Sequence, residues 1–179
     1  FGKSVVQTLI ALPLVLPPVA VGVMLLMLFG KNGPLGVLEL VFTWWGAAIA
    51  AAVMSFPLLV RAAEAAFAEV PRRLEQVART LGASEVALFF RVTLPLARRG
   101  VLYGIVLAFS RGLGEFGATV LIAGNIPGET KVVSIAIYEQ VETLTYSQAH
   151  TLSAGLLAFS FLVLLSVYVI NRRIPINRI

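Results

Sequence analysis

The sequence contains no cysteine, no aspartate and only one histidine, His150. Without cysteine the chain can form neither a disulfide framework nor a thiolate metal site, and a lone histidine has no second imidazole to complete a metal site. The absence of aspartate and of an H-E-x-x-H motif argues against an intramembrane aspartyl protease or metalloprotease. The residue inventory therefore predicts neither a catalytic residue nor a metal ligand in this chain.

Charged residues are scarce as well. They make up 13% of the chain, against 59% hydrophobic residues, and the mean hydropathy is +0.93. A soluble domain carries about 25% charged residues, because it must cover its core with a solvated surface. This composition predicts an all-α, polytopic bundle of transmembrane helices in contact with membrane lipid.

Four apolar stretches are long enough to cross a bilayer, whose apolar core takes about 20 helical residues. They are residues 5–29, 43–60, 101–124 and 152–170. Pro13, Pro17 and Pro18 interrupt the first stretch, and the backbone carbonyls that they leave free must be satisfied by neighbouring protein or a cavity. Because the first stretch begins almost directly after Phe1, we expect residues 1–179 to be a single transmembrane domain with an incomplete N-terminus.

The basic residues, which give a net charge of +5, are distributed between the apolar stretches. Most of the arginines lie between the second and third stretches or after the fourth, whereas the other two connections hold only Lys31 and Lys131. Since lysine and arginine favour the cytoplasmic side, this pattern predicts a multi-pass protein of a prokaryotic inner membrane with both visible ends in the cytoplasm. The absence of a single basic stripe argues against nucleic acid as a partner.

The Arg-rich connection, residues 67–95, has the pattern of two short helices. Pro71 suits a first helical turn, Gly82 a left-handed stop, and Ser84 the N-cap of a second helix that Pro95 would end. The pattern therefore predicts a helix–Gly–helix elbow at the cytoplasmic face. On periodicity alone, the elbow could equally be a loop that merely packs on the bundle.

Residues 75–84 and 92–95 resemble the EAA loop of ABC import permeases, whose motif reads E-A-A, then G, then I-x-L-P. Gln76 stands in place of the glutamate, Val77 in place of the first alanine and Val92 in place of the isoleucine. In that family the loop docks on an ATPase subunit and couples ATP hydrolysis to transport. The resemblance implies this coupling role for Glu75, Gln76, Ala78, Gly82, Leu94 and Pro95.

Two charged residues of the third stretch, Arg111 and Glu115, are four apart and can pair on one helix face. Charges inside a membrane are costly, so the two either form a buried pair that fixes helix orientation or belong to a pathway. In the second case an arginine would favour an oxyanion as substrate. The candidate pathway or gate residues are Arg111, Gly114, Glu115, Phe116 and Thr119. Gly100 and Gly104 are predicted to allow close helix packing.

Residues 113–119 and 125–130 resemble the molybdate and tungstate permeases, and the related sulfate permeases share the G-E-F-G core. The resemblance implies a type I ABC importer permease, acting as a homodimer in ATP-driven oxyanion import. Its partners would be ABC ATPase subunits, which hold ATP and Mg, and a periplasmic or lipid-anchored oxyanion-binding protein. This chain would bind no cofactor itself. The alternatives are a sulfate ABC permease and an ion-coupled secondary carrier that uses Arg111 and Glu115.

Overall fold

The computed structural model describes residues 2–173, with side chains described up to residue 169. Within this part the chain is all α-helical and contains no β-strand. The nine α-helices are α1 (Gly2–Val15), α2 (Pro18–Phe29), α3 (Trp44–Ala68), α4 (Arg72–Thr80), α5 (Glu85–Leu88), α6 (Leu94–Leu113), α7 (Gly117–Ala123), α8 (Val133–Glu142) and α9 (Tyr146–Arg173). The predicted fold class is confirmed.

Three helical segments of the described residues are long and apolar enough to cross a membrane: Trp44–Ala68, Glu85–Leu113 and Tyr146–Val169. A fourth span results if α1 and α2 count as one, although they are bent by 114°. The bend lies where one proline follows another: Pro17 has an extended ψ of 135° and Pro18 opens α2. Two successive prolines lack the N–H groups that a helix would use there, and the residue before a proline is disfavoured in the helical region, so Pro17 and Pro18 favour a bend over a straight helix at 5–29.

The third predicted span differs most from the structure. Helix α6 ends at Leu113, and residues 117–123 form the separate helix α7. At its other end α6 is continuous with α5 through a π-helical turn, Phe89–Thr93, so the prediction that Pro95 ends a helix is wrong. The wider turn, in which the Leu94 N–H bonds to the Phe89 carbonyl five residues back, accommodates a proline that has no N–H to donate.

Helices α3 and α6 pack antiparallel through small residues. A Cβ placed on Gly100 would lie 2.4 Å from the Ala66 Cβ, and one placed on Gly104 would lie 2.6 Å from the Ala62 Cβ. The predicted role of both glycines in close helix packing is confirmed. Small residues matter here because lipid gives helices no hydrophobic reason to associate, and backbone proximity maximises van der Waals contact.

The main core lies between α2, α3 and α7. Gly22 of α2 sits so close to α7 that a Cβ would lie 2.9 Å from the Ala118 Cα. The buried hydrophobic residues of this core are Val21, Leu25, Ala47, Ala50, Met54, Ala118, Ile122 and Ala123. Helix α8 packs against α9, whose apolar side chains are largely exposed, as expected for a surface that faces lipid.

Candidate functional site

Helix α4 of the elbow projects from the bundle. None of its nine residues is buried, and it packs mainly against α5 and the π-helical turn. Its apolar side chains Leu74 and Val77 are exposed, and Leu81, directly after the helix, is 82% exposed. A loop that only covers the bundle would bury these side chains, whereas an exposed apolar face of this kind marks an interaction surface.

The elbow is held in one shape by polar contacts. Gly82 takes the left-handed conformation with φ of 83°, which glycine adopts without steric cost. Across this turn Arg79 donates two hydrogen bonds to Glu85, from Nε to Oε1 at 2.8 Å and from a terminal nitrogen to Oε2 at 3.1 Å. The Thr93 hydroxyl donates to Glu75 Oε1 at 3.0 Å. Helix α4 is therefore bonded to both ends of the α5–π segment that leads into α6.

The predicted coupling residues lie together in this segment. Glu75 is partly buried by its bond to Thr93, whereas Gln76 is exposed. The Ala78 carbonyl accepts the Ala83 N–H at 3.1 Å and so helps to close the turn. Leu94 and Pro95 are the first two residues of α6. The elbow and the start of a membrane span are thus one continuous structural unit.

The second candidate site is the break between α6 and α7. Glu115 lies in this break, with its side chain 2% exposed, and it accepts a hydrogen bond from Arg111 at 2.9 Å. Its other carboxylate oxygen accepts the Ala118 N–H at 3.1 Å. Its backbone carbonyl accepts the Ser134 hydroxyl of α8 at 2.7 Å. The predicted pair exists, and the buried charge is compensated by partners on both oxygens.

A partly open cavity of about 630 Å³ lies beside this break, lined by α3, α6, α7, the loop 129–132 and the start of α8, with Leu156 of α9 on its wall. Of the predicted pathway residues, Glu115 and Thr119 line it together. The Arg111 side chain, 38% exposed, bonds to Glu115 but does not line the cavity, and the Phe116 ring contacts Tyr138 at a tilt, with the ring centroids 4.7 Å apart. Gly114 occupies the open turn after α6. Of the five predicted pathway residues, two therefore lie on the cavity wall and three lie outside the cavity lining.

Two features of this site were missed by sequence reasoning. Ser134 is one hydroxyl in an amphipathic segment, and nothing local shows that it bonds to a carbonyl 19 residues away. Lys131 pairs with Glu139 and fixes the loop beside the cavity to α8. Hydrogen bonds from Lys131 and Asn125 lower the pKa of Glu139 below its usual range. The sequence shows that Lys131 and Glu139 carry opposite charges eight residues apart, but it does not show the turn that brings them together.

The elbow and the broken span together favour a membrane transport protein. The family described as the inner membrane component of binding-protein-dependent transport systems matches residues 1–175. This chain belongs to that family. Members are components of transport systems rather than enzymes, and family membership agrees with the multi-pass helical fold.

Individual members of the family resemble the chain over most of its length. The Molybdenum transport system permease protein ModB of Escherichia coli is 49% identical over 149 residues, which are 79% of this chain and 65% of that protein. ModB of Azotobacter vinelandii is 40% identical over 173 residues, 93% of this chain and 76% of that protein. The Sulfate transport system permease protein CysT of Salmonella typhimurium is 35% identical over 178 residues, 96% of this chain and 64% of that protein. The chain spans slightly less than two thirds of the length of the Escherichia coli and Salmonella relatives.

Proposed function

We propose that this chain is the membrane-spanning subunit of an ATP-driven importer of molybdate or tungstate, and that its elbow docks on an ATPase subunit. The observation that carries the proposal is the rigid, exposed α4, which presents apolar side chains and is bonded to the start of a membrane span. In this reading the ATPase subunits hold ATP and Mg, and a periplasmic or lipid-anchored binding protein delivers the oxyanion. Two copies of the chain enclose the path.

The helix that follows the elbow suits the transmission of movement. Glu85–Leu113 is 29 residues long, which corresponds to about 40 Å at 1.5 Å per residue. One end carries Glu85, bonded to α4, and the other end leads directly to Arg111 and Glu115 beside the cavity. A displacement of α4 on ATP binding would therefore be transmitted to the cavity by one continuous helix. This movement would shift the bundle between two states.

The proposed substrate follows from the relatives described above. The two ModB proteins described above are 49% and 40% identical to the chain, whereas the sulfate permease CysT is 35% identical. This difference favours molybdate or tungstate, and sulfate, a tetrahedral dianion like them, is the second candidate. An ion-coupled carrier receives less support, because it needs no elbow and because Glu115, its coupling carboxylate, is already bonded to Arg111 and Ala118.

The test is co-purification of the full-length protein with a co-expressed candidate ABC ATPase subunit, comparing Leu81→Glu with Leu38→Glu. Leu38 is also exposed, at 57%, but it lies in the connection between α2 and α3 rather than on the elbow. We expect Leu38→Glu to retain the ATPase and Leu81→Glu to lose it, with both variants remaining monodisperse. Retention of the ATPase by Leu81→Glu would contradict docking through α4. Uptake of labelled molybdate, tungstate and sulfate into proteoliposomes then ranks the substrates.

A further inference from the structure

The connection between α2 and α3 carries exposed apolar side chains at the end of α3 opposite the elbow. Val37 is 93% exposed, and Leu38, Phe42, Trp44 and Trp45 are each more than half exposed. These five residues are termed the apolar patch. Trp44 and Trp45 are the only tryptophans of the sequence, and their rings stack with centroids 3.8 Å apart. A concentration of exposed apolar side chains marks an interaction surface, whose partner is either lipid or protein.

The patch is presented by a strained turn that its neighbours hold in place. Glu39 and Phe42 have φ values of 48° and 60°, in the left-handed region that bulky side chains rarely adopt. Such a conformation persists only where surrounding contacts hold it. The Phe42 N–H donates to the Ile122 carbonyl in the last turn of α7 at 2.8 Å, and its ring lies beside Gly124, where a Cβ would lie 3.1 Å from the Phe42 Cδ1. The exposure of the patch is therefore built into the fold.

The charge pattern of α3 indicates where the patch lies relative to a membrane. From Trp44 to Val60 the helix contains no charged residue, and Arg61 is the first. This stretch is about 25 Å long at 1.5 Å per residue. A hydrocarbon core is roughly 30 Å thick, and a long arginine side chain reaches outward from it to the headgroups. With Arg61 at one boundary of the membrane, the two tryptophans therefore lie at the other boundary.

The chemistry of the patch also favours lipid over protein. A tryptophan ring is largely apolar but carries one N–H group, so it suits the boundary between acyl chains and water, where tryptophan is enriched. The surface continues into exposed apolar side chains of the spans, among them Met24 of α2 and Phe56 of α3. To a protein partner the five side chains offer no charge, and only two indole N–H groups for specific hydrogen bonds.

We propose that the apolar patch is a lipid-binding surface, which lies in the boundary between headgroups and acyl chains on the membrane face opposite the elbow. Because the Phe42 N–H is bonded to the end of α7, and Thr119 of α7 lines the cavity, the lipid contact and this cavity wall belong to one connected unit. The inference requires a membrane-embedded fold and does not depend on which solute the protein imports.

The first test is the fluorescence of protein in which Trp45 is the only tryptophan, made with Trp44→Phe and reconstituted into phosphatidylcholine vesicles. Trp45 is the cleaner reporter, because Trp44 also lines the cavity. Part of the lipid carries bromine, a contact quencher, either near the headgroup end of the acyl chain or near its methyl end. We expect the shallow bromines to quench Trp45 several-fold more strongly than the deep ones.

Two variants that lack both native tryptophans provide depth references. Phe56→Trp places a ring about 16 Å further along α3 than Trp45, so deep bromines should be its stronger quenchers. Leu81→Trp lies on the elbow and should respond to neither lipid. Quenching of Trp45 by shallow bromines that is no stronger than by deep ones would overturn the inference. An emission that no brominated lipid changes would also overturn it, since the patch would then be covered by protein or face water.

A second measurement examines the loop side of the patch without using tryptophan. The sequence has no cysteine, so Val37→Cys provides one thiol for a nitroxide spin label. Collisions of the label with oxygen, which dissolves in lipid, are compared with collisions with a water-soluble nickel chelate. We expect the ratio of oxygen to nickel collisions to be higher at Val37→Cys than at Leu81→Cys on the elbow, and lower than at Phe56→Cys within the span. Equal ratios at Val37→Cys and Leu81→Cys would place the loop in water and refute the proposal.

Discussion

Packing of α3 on α6 should depend on the absence of one methyl group at Gly104. A Cβ there would lie 2.6 Å from the Ala62 Cβ, whereas ordinary carbon contacts are about 3.5–4.0 Å, so the helices would have to separate by roughly 1 Å. Overpacking of this kind typically costs about 1–3 kcal/mol. The next atom, Leu59 Cδ1 at 3.6 Å, is not in the way. The clash therefore involves Ala62 alone, and Ala62→Gly should relieve it.

We expect Gly104→Ala to lower the melting temperature of the purified protein by roughly 2–4 °C, because an overpacking cost of about 2 kcal/mol is offset by about 1 kcal/mol of helix propensity and a chain of this size loses about 2–4 °C per kcal/mol. The exchanged pair Gly104→Ala with Ala62→Gly should return to within about 2 °C of wild type. The control is Gly155→Ala in α9, where no described atom lies within 4 Å and alanine should be neutral or stabilising. An unchanged melting temperature in Gly104→Ala, or no rescue by Ala62→Gly, would refute the close-packing argument.

Two further predictions concern charge. Arg111→Gln should destabilise the fold by about 1–2 kcal/mol, because it leaves the buried Glu115 carboxylate with one partner fewer. The control Arg61→Gln breaks an exposed pair and should cost under about 1 kcal/mol. Equal melting temperatures of the two variants would contradict this prediction. Lys131 lowers the pKa of Glu139, so their bond contributes stability above the unfolded carboxyl pKa and loses it as the pH falls through the lower folded value. The protection factors of residues 125–132 against hydrogen exchange should therefore fall only in acid, below the ordinary glutamate pKa of about 4.3, and in Glu139→Gln they should be low at neutral pH as well.

The elbow shows how far local sequence reasoning reaches. Pro71, Gly82 and Ser84 determine helix starts and stops through their own backbone and capping chemistry, and the structure places α4 and α5 as they predict. Pro95 shows the limit. A proline excludes one hydrogen bond, but whether the helix ends or widens into a π-helical turn depends on how the neighbouring turns pack.

The sequence by itself determined the class of this protein: its composition requires a membrane, and the spacing of Arg111 and Glu115 permits their pair, while the arginine distribution predicts an orientation. These properties follow from single residues or from neighbours within one helical turn. Only the tertiary structure decided the bond from the Ser134 hydroxyl to the Glu115 carbonyl and the bond from the Phe42 N–H to the Ile122 carbonyl. Each of these depends on which distant backbone groups are brought together, and hydrogen-bond partners so far apart in sequence leave no periodic signal along the chain.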